Sequence, residues 1–287
     1  MSRIFEALQQ ANPELGRTLS ESPEGPEALT PFAATLIGES AALEEASQFP
    51  LPTDTESRLV AWLEPNSLAA ENFRALSARL RHTQRRKSLK TIQVTSAVRG
   101  DGKSTISANL AITLAAHGER TLLLDGDLHQ SSLASTLHVE GEHGFADWCE
   151  RSEPVANLLS KADGLPLWFL PAGICVDQPL TILQSPRTSE LLKLLTSWFS
   201  WIIIDSPPLV PLIDARVWAT MSDTVLLVAR QGITPKKALT KSLEGFDKSK
   251  LFALVMNDAI PQEERYYRDY RKATGSTETR RRAAGKD

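Results

Sequence analysis

One ten-residue stretch, SAVRGDGKST from Ser96 to Thr105, combines two glycines, a lysine and several hydroxyls. Gly100 and Gly102 allow the backbone to turn its amide groups inward, and a helix beginning near Lys103 would aim its positive dipole end at the same point. With Asp101, Ser104 and Thr105 completing the loop, the stretch suits a phosphate group, whose charge Lys103 would neutralise. Two acidic sequences follow: LLLDGD, ending in Asp125 and Asp127, and IIIDSPP, which carries Asp205. Carboxylates leaving apolar strands at one sheet edge offer Mg²⁺ the hard oxygen ligands it favours. Ser104 and Asp205 are the expected metal ligands, Asp205 directly or through water. The loop departs at one position from G-x-x-x-x-G-K-[ST], because Ala97 stands where that pattern begins with glycine.

The tyrosines are placed as unusually as the glycines. The chain has 287 residues and three tyrosines, Tyr266, Tyr267 and Tyr270, all within EERYYRDYRK. A phenol ionises near pH 10, so its attack on a phosphate needs a base such as Asp125 or Asp127 within hydrogen-bond reach. From Arg265 to Asp287 there are eight basic and three acidic residues. Three phosphotyrosines, each adding about −1.5 to −2, would cancel that excess.

These groups must be held by a scaffold, and the surrounding pattern supplies one. Pro65 and Ser67 mark a helix start, followed by Leu68, Phe73, Leu76 and Leu80 at helical spacing. Apolar runs then alternate with helical segments: TIQVTSA, RTLLLDGD, LWFLPAG, WIIIDSP, TVLLVAR and LFALVMN read as strands. Continuous apolar strands separated by helices predict an α/β fold, a mostly parallel central sheet with helices on both faces. The division expected is 1–57, a short N-terminal helix and low-order linker; 58–260, the catalytic domain; and 261–287, a flexible basic tail. Residues 12–57 are rich in Pro, Glu, Ser and Ala, which suits a mobile linker.

Composition narrows the alternatives. With 41% hydrophobic and 23% charged residues, the chain has the balance of a soluble globular protein. A formal net charge of −3 argues against a nucleic-acid partner. Cys149 and Cys175 lack metal-ligand spacing. The most apolar stretch, LLKLLTSWFSWIII, is too interrupted to cross a membrane, and the start lacks the apolar run of a signal peptide. A cytoplasmic location is expected.

From about Glu64 to Tyr270 the order of motifs resembles the bacterial tyrosine kinases of capsule and exopolysaccharide assembly, a branch of the P-loop MinD/ParA-like ATPases. The resemblance is carried by Val98–Thr105, by D-x-D at Asp125–Asp127, by D-x-P-P at Asp205–Pro208 and by the tyrosine cluster. It implies ATP and Mg²⁺ as cofactors, autophosphorylation of the cluster, catalytic roles for Lys103, Asp125, Asp127 and Asp205, and a place for Asp127 beside Ser104 and Asp205 among the metal ligands. Asn257 resembles an asparagine that contacts adenine in related ATPases. The resemblance further implies a separate membrane activator of the chain-length-determinant type that brings the kinase to the inner face of the plasma membrane. It also implies homo-oligomerisation for phosphorylation in trans, and a tyrosine phosphatase.

Three positions depart from the family pattern: His129 replaces an arginine, Arg99 a proline, and Ser77 the second arginine of E-x-x-R-x-x-R, whose first members are Glu71 and Arg74. Two other readings stay open, a MinD/ParA-like ATPase switch that modifies no tyrosine and a weakly catalytic scaffold. The switch proteins usually carry an extra lysine where this chain has Val98.

Overall fold

Apolar runs set the order of the chain. The computed structural model describes residues 43–150, 154–175 and 178–259, so Tyr266, Tyr267 and Tyr270 lie outside the described residues. Eight strands form one sheet: β1 (Ser47–Phe49), β2 (Thr91–Ser96), β3 (Thr121–Asp125), β4 (Ser160–Ala162), β5 (Leu167–Leu170), β6 (Trp201–Asp205), β7 (Thr224–Arg230) and β8 (Leu251–Asn257). Their spatial order is β1-β4-β5-β3-β6-β2-β7-β8. Every pairing is parallel except β4 with β5. Strands β2, β3, β5 and β6 are buried along their whole length, as parallel strands covered on both faces must be.

The helices among the described residues are α1 (Val60–Leu63), α2 (Leu68–Gln84), α3 (Lys103–Ala115), α4 (Leu133–Leu137), α5 (Phe145–Glu150), α6 (Pro179–Gln184), α7 (Pro186–Trp198), α8 (Asp214–Met221) and α9 (Lys236–Ser242). At the start of α2 the Ser67 hydroxyl accepts from the amide of Ala70, which satisfies one of the free donors of the first turn. Every residue of α3 from Ile106 to Ala115 is buried. A helix apolar all round needs cover on all sides, and α3 has it, with β2, β3, β5 and β6 beneath and α1 and α2 against it. The helix that begins at the phosphate loop is therefore held as rigidly as any element here.

Residues 43–57 differ from the expected linker. Composition favoured disorder there, yet Ser47–Phe49 pairs with Ser160–Ala162 as the outermost strand, and Phe49 and Leu51 are buried. Asp54 caps the 3₁₀ turn Thr55–Ser57 through the Ser57 amide. Asn109 of α3 then ties the following segment down, donating to the Arg58 carbonyl at 3.0 Å and accepting from the Ala61 amide at 2.8 Å. Two apolar side chains and a few hydrogen bonds outweigh an unpromising local composition. On α2, Arg74 pairs with Glu71 of its own helix and donates to the Pro65 carbonyl. Ser77 is fully buried and donates to the Arg74 carbonyl. No described helix is long and apolar enough to cross a membrane.

Candidate functional site

Ligands of open α/β sheets bind beyond the carboxyl ends of the strands, near the point where strand order reverses. Here that point lies around β2, whose neighbours are β6 and β7, with β3 beyond β6. Asp125 closes β3, Asp205 closes β6, and the two are paired directly across the sheet. The loop from Ala97 to Gly102 leaves β2 beside them and runs into α3.

Gly100 and Gly102 have φ of +87° and +93°, a left-handed backbone that costs other residues about 1–2 kcal/mol. A Cβ on Gly102 would also lie 2.1 Å from Asn257 Nδ2. That amide group donates to the Asp101 carbonyl at 2.9 Å, so Asn257, expected at adenine, packs its side chain against the phosphate loop. Asp101, also expected among the nucleotide contacts, has its side chain engaged within the fold. It is fully buried, and its carboxylate accepts from the Val98 amide at 3.2 Å and from Thr234 Oγ1 at 2.6 Å. Its side chain is a strut within the loop, since a buried carboxylate must find donors nearby.

Lys103 Nζ lies 2.9 Å from Asp127 Oδ2 and 4.0 Å from Asp205 Oδ2, and contacts Ser104 Oγ at 3.5 Å. Burial works against its charge, but Asp205, Asp127 and Asp125 together outweigh burial and hold its pKa above the ordinary lysine value. Asp205 is fully buried; Ser107 donates to Oδ1 at 3.1 Å, while Oδ2 has no hydrogen-bond partner. Burial pushes its pKa up, with Lys103 opposing. Asp125 accepts from Ser131 Oγ at 2.7 Å, the Leu133 amide at 3.4 Å and the Asp127 amide at 3.2 Å. Burial, then the charge of Asp205, raise its pKa to about 7.

The three carboxylates do not form a cage. Among the described residues no three His, Cys, Asp or Glu side chains are grouped to hold a metal ion, because Asp125 is spent on Ser131 and backbone amides and Asp127 on Lys103. A cation that keeps its waters and takes phosphate oxygens needs less. Asp205 Oδ2, which has no hydrogen-bond partner, Asp127 and the Ser104 hydroxyl, to which the Ser132 hydroxyl donates at 3.1 Å, are all hard oxygen donors, and they fit Mg²⁺.

Sequence reasoning missed Ser107, Ser131, Ser132 and Thr234, which orient the expected groups. Ser107 carried a usable signal, standing one helical turn after Lys103 on the same face. The others depend on how distant loops meet.

A pH prediction follows. With the Asp125 pKa about 7 in the folded chain against an ordinary 3.8, the folded state holds a proton that the unfolded state has lost across that interval. This contribution to stability is present in full below the ordinary value and is lost as pH rises through 7; the raised Asp205 has the same sign. In EDTA without nucleotide, the melting temperature is expected to fall between pH 5 and 8. Asp125→Asn should flatten that slope, and parallel profiles for both proteins would contradict the assignment.

The geometry fits a phosphate-transfer site, and comparison with known proteins agrees. Residues 87–249 match the ParA family model, described as NUBPL iron-transfer P-loop NTPase. The tyrosine-protein kinase CpsD of Streptococcus pneumoniae serotype 4 is 31% identical over 172 residues, covering 59% of this chain and 76% of that protein. The chain belongs to the bacterial tyrosine-protein kinase family of P-loop NTPases. The succinoglycan biosynthesis transport protein ExoP of Rhizobium meliloti is 29% identical over 234 residues, which cover 79% of this chain and 29% of ExoP. In fold, this kinase-family chain resembles the kinase domain of Escherichia coli tyrosine kinase ETK, with a TM-score of 0.67, 22% identity and coverage of 75% of this chain and 89% of that one.

Proposed function

We propose that the chain is an ATP-dependent protein-tyrosine autokinase that phosphorylates Tyr266, Tyr267 and Tyr270 and thereby regulates polymerisation and export of an exopolysaccharide. The observation that carries this reading is the placement of Lys103 between Asp127 and Asp205 at the mouth of a left-handed glycine loop, in a chain whose only phenols share one basic segment. Family membership supports the kinase activity, and the name of ExoP supports the link to polysaccharide transport.

In this reading the loop amides from Gly100 to Thr105 and the start of α3 hold the phosphates, and Lys103 moves its charge from the aspartates onto the transferred group. Ser104, Asp127 and Asp205 would hold Mg²⁺, which would supply neutralisation of the phosphate charge. The phenol oxygen forms its bond to the γ-phosphorus as the bond to the β-bridging oxygen breaks, and ADP leaves. The phenol proton goes to the Asp125–Asp127 pair, in which Asp125, at about 7, can hold it near neutral pH. The acceptor arm comes from a neighbouring copy. A membrane activator of the chain-length-determinant type recruits the kinase to the inner face of the plasma membrane, and a tyrosine phosphatase resets it.

The test is to incubate the purified full chain with ATP and Mg²⁺, with membranes supplying the activator, and to map modified residues by mass spectrometry. Phosphate on the three tyrosines is expected. ATP hydrolysis with every tyrosine unmodified would overturn the kinase reading in favour of a nucleotide-dependent switch.

A further inference from the structure

We propose that Trp218 is a positioning residue: it fixes the peptide that carries Asp127, so that α8 sets the rate of phosphoryl transfer without setting nucleotide affinity. The proposal deepens the kinase reading and rests on the roles given above to Asp125 and Asp127. Both peptide groups flanking Gly126 are held. Its amide donates to the Asp205 carbonyl at 2.7 Å, and its carbonyl accepts from Trp218 Nε1 at 3.0 Å. The first bond orients the peptide after Asp125; the second orients the peptide before Asp127, the carboxylate nearest Lys103.

The indole is itself immobile. Trp218 is fully buried, with the ring of Phe145 5.5 Å away, centroid to centroid. It lies so close behind the turn that a Cβ on Gly126 would stand 2.8 Å from Cε2 and 2.9 Å from Nε1. That contact explains the glycine of Asp125-Gly126-Asp127, whose backbone is not left-handed. The helix that carries the indole is pinned at its other end. Asp214 contacts His129, two residues beyond Asp127, and Gln93 of β2 donates both to the Ala215 carbonyl and to the Ser206 hydroxyl at 2.7 Å. One helix thus ties together the residues that follow β3 and β6. It makes none of the bonds that shape the phosphate loop, which come from Thr234, Asn257 and the loop itself.

Trp218→Phe keeps an aromatic ring and removes the donor. In the full chain, kcat for ATP turnover should fall about 10- to 100-fold, the scale of a small misplacement of a reacting group, with KM for ATP within about twofold of wild type on the same argument. Gly126→Ala should be similarly impaired, but should cost nothing further in a Trp218→Leu background, where the colliding ring is gone. An unchanged kcat in Trp218→Phe, a rise in KM alone, or additive losses in the double variant would overturn the proposal. If the Trp218 variants fail to fold by circular dichroism, His129→Ala decides, because that side chain is 38% exposed. It should lower kcat at constant KM, and an unaltered kcat rejects the clamp. ATP turnover reports on the clamp and phosphotyrosine on the kinase reading, so the two stand or fall separately.

Discussion

Replacing Lys103 by Met should reduce tyrosine phosphorylation by about 10²- to 10³-fold, the loss measured when one preorganised donor to a developing negative charge is removed. Methionine keeps the unbranched apolar stem, so α3 retains its packing while the ammonium disappears. Two opposing effects act at once. In the absence of nucleotide the ammonium offsets Asp127 and Asp205, both almost wholly buried, and removing one partner of a buried pair generally destabilises. Asp205, whose pKa burial already raises, can recover part of that loss by taking up a proton. With ATP bound there is no such remedy, because the γ-phosphate cannot shed its charge as it transfers. Initial rates of phosphotyrosine formation, with melting curves to confirm folding, decide the matter. Retention of more than about a tenth of wild-type activity would mean that Lys103 supplies far less than one donor's worth of stabilisation.

Asp205→Asn is the second large effect, and its signature is a split between stability and activity. Asparagine is nearly isosteric, keeps an oxygen for Ser107, and removes a buried carboxylate oxygen that has no hydrogen-bond partner. Burial raises the pKa of Asp205, so the wild-type chain loses stability as pH rises, and the variant loses less because only the Asp125 contribution remains. At pH 8 without nucleotide, the variant should melt no lower than wild type. Its phosphoryl transfer should nonetheless fall by about 10²-fold or more, since a neutral amide is a poor ligand for Mg²⁺ and cannot offset its charge. Raising Mg²⁺ should recover only part of the rate. A variant with lower stability and full activity would reverse the assignment: Asp205 would then be a structural partner of Lys103.

How far local pattern carries is visible in individual elements. The strand WIIID and the helix begun by Ser67 were legible because each declares itself within a few residues, by unbroken apolar side chains or by a hydroxyl placed to cap an amide. The glycine loop was legible for the same reason, since left-handed φ at Gly100 and Gly102 is a local demand. Strands β1 and β4, with the sequences SQF and SKA, carry no such signal. β1 is held by its pairing with β4, across more than a hundred residues of chain, and β4 is held also by β5.

The site divides along the same line. Residue types and their spacing along the chain brought forward Lys103, Ser104, Asp125, Asp127 and Asp205 as candidates, because phosphate and magnesium chemistry admits few side chains and a strand end is where such ligands bind. Folding assigned the pairings that support them: Asp101 to Thr234, Asn257 to the loop carbonyl, Gly126 to Trp218. A buried polar group must be satisfied by whatever the fold brings within about 3 Å. Which group that is depends on how loops from distant strands meet, a quantity that no short window of sequence contains.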